Sequence, residues 1–220
     1  MSRSSGYIHA LRLRRLNALY DPVVALTSRE TRFKTELLDG IRAEAGSRVL
    51  DVGCGTGTLL CMLARHAPAV RAHGIDGDPG MLERARRKAA DAGLAVGLTL
   101  GMADRLPFPD GSFDHVVSSL VFHHLDREAK RRTLAEAMRV LRPGGGLHIA
   151  DWGRARTPWM RAAFLAIQLT DGFATTGDHV RGRLPSMIGA AGFERVRVER
   201  RLDTWLGTLE IVRARKCPVP

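Results

Sequence analysis

From residue 48 onward, short apolar runs alternate with segments whose apolar residues recur at the spacing of an amphipathic helix. Each apolar run predicts a buried strand, and each helical stripe predicts a helix that covers the sheet. The predicted strands are 48–52, 72–75, 96–100, 114–118 and 147–150, and the predicted helices are 59–66, 79–92 and 127–141. Such alternation is typical of a doubly wound α/β fold, in which helices flank both faces of a mainly parallel sheet.

The C-terminal part of the chain follows a different pattern. One more helical stripe runs from Leu184 to Ala191, and two strand-like segments follow at 193–198 and 208–212. The stretch between these two segments is too short for the crossover helix that parallel pairing requires. We therefore predict a sheet that is mostly parallel and has one antiparallel C-terminal strand.

Residues 49–58 read Val-Leu-Asp-Val-Gly-Cys-Gly-Thr-Gly-Thr, a buried strand followed by a glycine-rich turn and the start of a helix. Gly53 and Gly55 let the backbone pass close to a ligand, where a Cβ would collide. The spacing G-x-G-x-G differs from the dinucleotide motif G-x-G-x-x-G. Asp51, just before the turn, would repel a pyrophosphate and attract an ammonium group. Asp76 ends the second strand, at the distance along the chain where an acid commonly binds ribose hydroxyls.

Further motifs follow this turn in order along the chain. They are Gly-Ile-Asp-Gly-Asp-Pro-Gly-Met-Leu at 74–82, Ala-Asp at 103–104, Leu-Pro-Phe-Pro-Asp-Gly-Ser-Phe-Asp at 106–114, Ser-Ser-Leu-Val-Phe-His-His-Leu at 118–125 and Arg-Val-Leu-Arg-Pro-Gly-Gly at 139–145. The whole series resembles the class I S-adenosylmethionine-dependent methyltransferases, in the branch that includes the ubiquinone and menaquinone C-methyltransferases. The resemblance is strong over 49–151 and reaches back to Tyr20 and Asp21.

This resemblance implies a Rossmann-like fold and S-adenosylmethionine as the cofactor. The implied cofactor-binding residues are Tyr20, Asp51, Gly53, Cys54, Gly55, Asp76, Gly77, Ala103, Asp104, Ser119 and Leu120. The glycine turn would face the methionine portion, Asp76 the ribose diol and Asp104 the adenine amine. Ser119 and Leu120 would close the site at the end of the fourth strand.

The resemblance also implies two regions in the chain. Residues 1–47 would form an N-terminal helical lid that brings Tyr20 over the cofactor, although Tyr20 fits an ordinary core or surface position equally well. Residues 48–220 would form the methyltransferase domain, with a substrate-side insert at about 152–183.

Methyl transfer from a sulfonium depends chiefly on alignment of the acceptor, because the methyl group is already activated. A base is required only when the acceptor must lose a proton, as a hydroxyl or a carbon acid does. His124, past the fourth strand, is a candidate base, and Asp151, at the end of the fifth, is a candidate for gripping a cationic acceptor. A loop position for His124 and a capping position for Asp151 fit equally well. Asp171, Thr175 and His179 are candidates for the acceptor pocket on position alone.

The formal net charge of +11 raises the question of a nucleic-acid partner. Most of the 34 basic residues are Arg, and they lie mainly toward the two ends of the chain. Aromatic residues, which would stack on bases, make up only 5% of the chain and are not interleaved with the basic ones. We therefore expect a small-molecule acceptor and no nucleic-acid partner.

Two further expectations concern location and metals. No apolar run is long enough to span a membrane and no secretory signal is evident, so we expect a cytoplasmic protein with at most peripheral membrane contact. Cys54, Cys61 and Cys217 lack the spacing of metal ligands, so no metal site is expected. Two alternatives stay open: a phospholipid or quinone-precursor acceptor at a membrane surface, and a cofactor-binding protein without catalysis.

Overall fold

The computed structural model describes residues 30–218. The strands are β1 (Arg48–Val52), β2 (Arg71–Asp76), β3 (Gly97–Leu100), β4 (Phe113–Ser119), β5 (Leu141–Trp152), β6 (Glu194–Thr204) and β7 (Gly207–Arg215). The helices are α1 (Glu30–Asp39), α2 (Thr58–His66), α3 (Pro79–Asp91), α4 (Arg127–Val140), α5 (Pro158–Asp171), α6 (Phe173–Val180) and α7 (Leu184–Ala190). A 3₁₀ turn, Phe122–His124, follows β4.

The strands form one sheet in the order β3-β2-β1-β4-β5-β7-β6. β1 pairs in parallel with both β2 and β4, so the strand order reverses between β1 and β4. β7 pairs antiparallel with β5 on one side and with β6 on the other. The sheet is therefore parallel except for one C-terminal strand, and the predicted fold class is confirmed.

The element bounds agree closely with the hydrophobic pattern in the first half of the domain. β1 spans the predicted residues, and α2, α3 and α4 each differ from prediction by one residue at one end. The largest difference is at the C-terminus, where β6 and β7 are long strands joined by a tight hairpin at Trp205. β6 is an edge strand whose residues are mostly exposed, so it has little of the apolar alternation that predicts a strand.

Apolar side chains cover both faces of the sheet. Adjacent residues of a strand point to opposite faces, so Leu50 belongs to one apolar layer and Val49 to the other. Helices α4 and α7 complete the first layer, and α1, α2 and α5 complete the second. This packing leaves the carboxyl ends of the parallel strands available for a site, at the switch in strand order.

The N-terminal region is described only from residue 30 onward. Helix α1 buries Phe33 and Leu37 in the second apolar layer, so this part of residues 1–47 packs into the core of the domain. Tyr20 lies outside the described residues, and its place in a lid stays a prediction. Within residues 30–218, no helix combines the length and the apolar character needed to cross a membrane.

Candidate active site

The glycine-rich turn follows β1 at the carboxyl edge of the sheet. Gly53 and Gly55 have φ angles of 71° and 52°, in the left-handed region that glycine adopts without strain. The backbone N–H groups of Gly53 and Cys54 donate to the carbonyl oxygen of Ile75, at 2.8 and 3.0 Å. The turn is thus fixed against the end of β2 before helix α2 begins.

The two glycines differ in their surroundings. A Cβ on Gly53 would lie 2.4 Å from a methyl carbon of Val121, so the close approach of the loop after β4 requires glycine. A Cβ on Gly55 would meet nothing within 4 Å. The space beside Gly55 is therefore open to a ligand. The Cys54 side chain is buried against Gly74, and burial raises the pKa of its thiol.

Asp76, at the end of β2, braces the turn. Its Oδ2 accepts a hydrogen bond from Gly55 N at 2.8 Å, and its Oδ1 accepts one from Asp78 N at 2.9 Å, across Gly77. Burial raises the pKa of Asp76, while these backbone donors lower it in part. Each carboxylate oxygen keeps lone-pair capacity for a ligand hydroxyl.

Asp51 lies under the turn and has an unsatisfied carboxylate. The residue is 1% exposed, and neither carboxylate oxygen has a hydrogen-bond partner within the described part of the chain. The pKa of Asp51 is raised to about 7, mainly by burial; the charge of Lys34 opposes this shift and the charge of Asp76 adds to it. A buried acceptor without a donor is costly, so this position suits a ligand that brings one.

The residues predicted to meet the adenine lie in the loop after β3. Asp104 forms an ion pair with Arg132 of α4, with Nη2 of the arginine 2.9 Å from Oδ2 of the acid. Ala103 packs against the first apolar layer. A partly exposed ion pair of this kind contributes little to stability, so Arg132 mainly orients the Asp104 carboxylate.

The segment after β4 links the glycine turn to the acceptor side. Ser119 ends β4, and Leu120 has a φ angle of 57°, which is uncommon for a residue other than glycine. The N–H of Leu120 donates to the carbonyl oxygen of Ala150 at 2.9 Å, which ties the end of β4 to β5. Strained residues of this kind persist where their surroundings hold them, often at ligand sites.

Asp151 of β5 is fully buried and holds the 3₁₀ turn in place. Its Oδ2 accepts from the N–H of Phe122 at 2.7 Å, and its Oδ1 accepts from Nδ1 of His123 and from the N–H of Trp152, both at 2.7 Å. Burial alone would raise the pKa of Asp151, but His123, His179 and these hydrogen bonds bring it well below its usual value. The Asp151 carboxylate is therefore occupied by protein donors, and its predicted contact with a cationic acceptor stays a prediction.

His123 and His124 lie side by side, with ring centroids 3.9 Å apart. Asp171, the last residue of α5, approaches both rings. Its Oδ2 lies 3.6 Å from His123 Nε2 and 3.6 Å from His124 Nδ1. We call these three residues the histidine–aspartate cluster. Because the His124 side chain is 21% exposed and that of His123 only 6%, the cluster opens to solvent on the His124 side.

The electrostatics of His124 bear on its predicted role as a base. The pKa of His124 is lowered to about 3, mainly by burial and also by the neighbouring His123, while Asp151 opposes this shift. A base with so low a pKa gives little driving force for proton transfer at neutral pH. His124 is therefore better suited to offer a lone pair than to act as a general base. Burial also raises the pKa of Asp171.

Helix α6 forms a second wall on the acceptor side. His179 Nδ1 donates to the Trp152 carbonyl at 2.6 Å, and the Thr175 carbonyl accepts from Nζ of Lys130, a fully buried lysine of α4. These bonds anchor α6 to both β5 and α4. Lys130 was not among the predicted residues. Its place on the apolar stripe of α4, four residues before Leu134, is the signal that could have identified it.

The same domain occurs in known proteins. A family model described as a methyltransferase domain matches residues 49–145. The malonyl-[acyl-carrier protein] O-methyltransferase of Methylococcus capsulatus is 33% identical over 187 residues, which are 83% of this chain and 64% of that protein. The demethylmenaquinone methyltransferase of Thermus thermophilus is 39% identical over 123 residues, 56% of this chain and 55% of that protein. A solved structure of a SAM-dependent methyltransferase from Aquifex aeolicus has a TM-score of 0.65 at 22% identity, and the match covers 91% of this chain and 96% of that one.

The strand order, the glycine turn and these matches agree on one class of protein. The family predicted from the motifs, the class I S-adenosylmethionine-dependent methyltransferases, is confirmed for the domain at residues 49–145, together with its cofactor. The chain spans less than two thirds of the length of either protein relative.

Proposed function

We propose that this chain transfers a methyl group from S-adenosylmethionine to a small-molecule acceptor. The observation that carries the proposal is the buried carboxylate of Asp51, which has no donor within residues 30–218 and lies beneath a turn whose Gly55 faces open space. An ammonium group, such as that of the methionine portion, supplies both N–H donors and a compensating charge. A dinucleotide pyrophosphate would instead add negative charge beside Asp51 and Asp76.

Other residues of the site fit the same cofactor. Asp76 retains lone pairs that would accept hydrogen bonds from the ribose hydroxyls. Asp104, oriented by Arg132, would accept a hydrogen bond from the adenine amine. Asp76 ends β2 and Asp104 lies in the loop after β3. Both are at the edge of the sheet where this fold binds its ligands.

S-adenosylmethionine supplies a methyl group that its sulfonium has already activated. The remaining task of the protein is to bind the acceptor, orient it and exclude water. Leu120 and Val121 come just before His123 in the chain, and Val121 contacts Gly53. The histidine–aspartate cluster is therefore adjacent to the glycine turn. We therefore assign the acceptor to the cluster, with Asp151 as the group that fixes the His123 ring.

The chemistry of the cluster favours an oxygen nucleophile or a carbon acid as the acceptor. The imidazole nitrogens and the Asp171 carboxylate offer lone pairs that can receive a hydrogen bond from a hydroxyl or an enol. Such acceptors must lose a proton during transfer, whereas a neutral amine need not lose one before attack. A site for a neutral amine has no need of this concentration of lone pairs.

The test is to incubate the full chain with S-adenosylmethionine and a panel of hydroxyl, enol, amine and thiol acceptors, and to measure S-adenosylhomocysteine. For an acceptor that reacts, His124→Ala and Asp171→Asn should each lower the rate by at least about tenfold, because both contact the acceptor. Calorimetry should show little change in affinity for S-adenosylhomocysteine, since neither residue belongs to the glycine turn.

His115→Ala is the matched control for this experiment. His115 lies on β4 and contacts His148, so the substitution removes a partly buried imidazole that is outside the cluster. Its rate should match that of the unmodified chain. A chain that binds S-adenosylmethionine yet yields no S-adenosylhomocysteine with any acceptor would instead support cofactor binding without catalysis.

A lipid or quinone-precursor acceptor is the second candidate, and one surface favours it. Trp159 and Leu169 of α5 and Phe173 at the start of α6 are 74%, 75% and 58% exposed. Large apolar side chains exposed on neighbouring helices often mark a contact surface. Because α5 ends at Asp171, an apolar acceptor held there would arrive beside the cluster. Adding a quinone precursor in anionic vesicles to the panel decides between the two acceptor classes.

A further inference from the structure

Three potential ligand atoms converge in the histidine–aspartate cluster. They are His123 Nε2, His124 Nδ1 and a carboxylate oxygen of Asp171, and all lie within 4.8 Å of one another. Both nitrogens are 3.6 Å from Asp171 Oδ2, which is longer than a hydrogen bond. The three groups thus approach one another without satisfying one another directly.

We propose that His123, His124 and Asp171 bind one divalent transition-metal ion on the acceptor side of the site. Zinc bonds of about 2.0–2.2 Å place ligand atoms about 3.3–3.5 Å apart around a tetrahedral ion. The two nitrogen–oxygen separations of 3.6 Å are close to that value, and the two nitrogens lie within 4.8 Å of each other. The role of the ion rests on the proposed function, whereas its binding does not.

The surroundings of His123 are those of a metal ligand. Nδ1 of the ring donates its proton to Asp151 Oδ1 at 2.7 Å, which leaves Nε2 as the ring nitrogen that faces the cluster. Metal-binding histidines almost always donate their other N–H to a carboxylate or carbonyl, which fixes the ring and increases its basicity. Asp151 in turn is held by the N–H groups of Phe122 and Trp152.

The local charge also favours a cation. Asp151 is fully buried and the Asp171 side chain is 14% exposed. Within residues 30–218, the groups that approach either carboxylate to within 4.0 Å as ion-pair partners are the imidazoles of His123, His124 and His179, with no Lys or Arg among them. A divalent ion at the cluster would compensate the charge of Asp171 directly, whereas Asp151 lies beyond the His123 ring and also interacts with the charge of Lys130.

The ligand types indicate which ions and which acceptors the site takes. Two imidazole nitrogens and one carboxylate suit zinc, manganese, iron or cobalt, whereas magnesium and calcium prefer oxygen ligands. Three protein ligands leave at least one coordination position open, on the exposed His124 side. An acceptor hydroxyl or enol oxygen that binds there would lose its proton more readily, because the ion stabilises the anion.

The experiment uses the full chain without a polyhistidine tag, freed of metals by a chelator. Zn²⁺ is titrated by calorimetry, and Co²⁺ by its visible absorption bands, which report nitrogen and oxygen ligation. We expect one ion per chain, with His124→Ala and Asp171→Asn each weakening binding by at least about tenfold. Mg²⁺ should not displace either ion.

Two variants control for other ligands. His115→Ala removes an imidazole outside the cluster, and Cys217→Ser removes an exposed thiol, so both should bind the ion as the unmodified chain does. Asp151→Asn should weaken binding about 10- to 100-fold through the His123 ring. Because Asp151 is buried, the conclusion depends on His124 and Asp171, which are partly exposed, and thermal melting of each variant confirms that it folds.

The outcome separates this proposal from the proposed function. Absence of stoichiometric binding of Zn²⁺ and Co²⁺, or binding that survives both His124→Ala and Asp171→Asn, would overturn the metal site and leave a cluster of imidazoles and carboxylates alone. The metal-free chain is titrated in parallel with S-adenosylhomocysteine. Binding of S-adenosylhomocysteine without binding of metal would leave the proposed function in place and remove the metal site. Binding of metal without binding of S-adenosylhomocysteine would leave the metal site in place and contradict the proposed function.

Discussion

Asp51 and the histidine–aspartate cluster define the site at the residue scale: the buried Asp51 carboxylate has no hydrogen-bond partner within residues 30–218, and the Asp171 carboxylate lies 3.6 Å from a nitrogen of each histidine. The positions of Asp51, Gly55 and Asp76 at the ends of β1 and β2 could be predicted from the sequence, and their contacts with the cofactor stay predictions. The contacts of Asp151 and Asp171 could not, because they join residues far apart in the chain, such as His123 and Asp151, which are 28 positions apart. Asp171 was predicted for the acceptor pocket from its position in the chain alone, and that position gave no indication that it approaches the histidines.

The first prediction at this scale concerns pH. Because burial raises the pKa of Asp51 to about 7 and the charge of Lys34 opposes this only in part, much of Asp51 is protonated below pH 7. The ionised form is the one that accepts a ligand ammonium. Affinity for S-adenosylhomocysteine should therefore fall about tenfold from pH 8 to pH 6, measured by calorimetry.

The same titration of Asp51 should make the stability of the unliganded chain fall as pH rises, whereas the affinity for the ligand rises. The folded pKa of Asp51 lies above the usual value for an aspartate, so the folded state binds the extra proton and loses stability as pH rises from about 4 to 7. Asp51→Asn should remove the pH dependence of both affinity and stability. It should also weaken binding of S-adenosylhomocysteine by about 1.5–3 kcal/mol, the usual contribution of a hydrogen bond to a charged group. Asp91→Asn, at an exposed position of α3, is the control, and an unchanged affinity in Asp51→Asn would contradict the assignment.

The second prediction separates ligand contact from backbone conformation at Gly55. Gly55 and Gly144 both have positive φ angles, of 52° and 75°, and a Cβ on either would meet nothing within 4 Å. Alanine at each should lower the free energy of unfolding by about 1 kcal/mol, through backbone strain alone. Only Gly55→Ala should also weaken S-adenosylhomocysteine, and equal affinities in the two variants would show that the space beside Gly55 is not the ligand site.

At the scale of elements, the parallel half of the domain could be predicted because its central strands are buried on both faces and its helices are amphipathic. The region after β5 could not be predicted in detail, because α5 exposes apolar residues such as Leu169 and the edge strand β6 lies mostly in solvent. In both elements the pattern of apolar and polar side chains does not match the pattern of burial, so it does not predict the element. The insert expected at 152–183 is built from α5 and α6, which carry Asp171 and His179.

The prediction at this scale concerns the attachment of α6 to α4. Lys130 is fully buried, donates to the carbonyl of Thr175 and lies 3.7 Å from Asp178, whose carboxylate Arg127 also binds. Lys130→Met should lower the free energy of unfolding by about 2–3 kcal/mol in urea, because it leaves a buried carbonyl without its donor and weakens a buried ion pair. Arg86→Met, which breaks an exposed pair on α3, should leave the urea midpoint unchanged. Equal midpoints for the two variants would show that Lys130 does not anchor α6.

At the scale of the whole molecule, the strand order places the ends of β1, β2, β4 and β5 at one edge of the sheet. The glycine turn, Asp76, the 3₁₀ turn and Asp151 all lie at this edge, although they are spread over about a hundred residues of sequence. The order of motifs along the chain was enough to predict that arrangement, because each motif follows a strand. The identity of the acceptor does not follow from the same reasoning, since it depends on side chains contributed by the variable helices after β5.

The central claim is that the edge of the sheet binds S-adenosylmethionine through Asp51 and the glycine turn. The most direct test is calorimetric titration of the full chain with S-adenosylmethionine, S-adenosylhomocysteine and NAD under the same conditions. The account predicts one-to-one binding of the first two ligands, in competition with each other, and no measurable binding of NAD, whose pyrophosphate would meet the charges of Asp51 and Asp76. Saturable binding of NAD together with no response to either sulfur-containing ligand would contradict it.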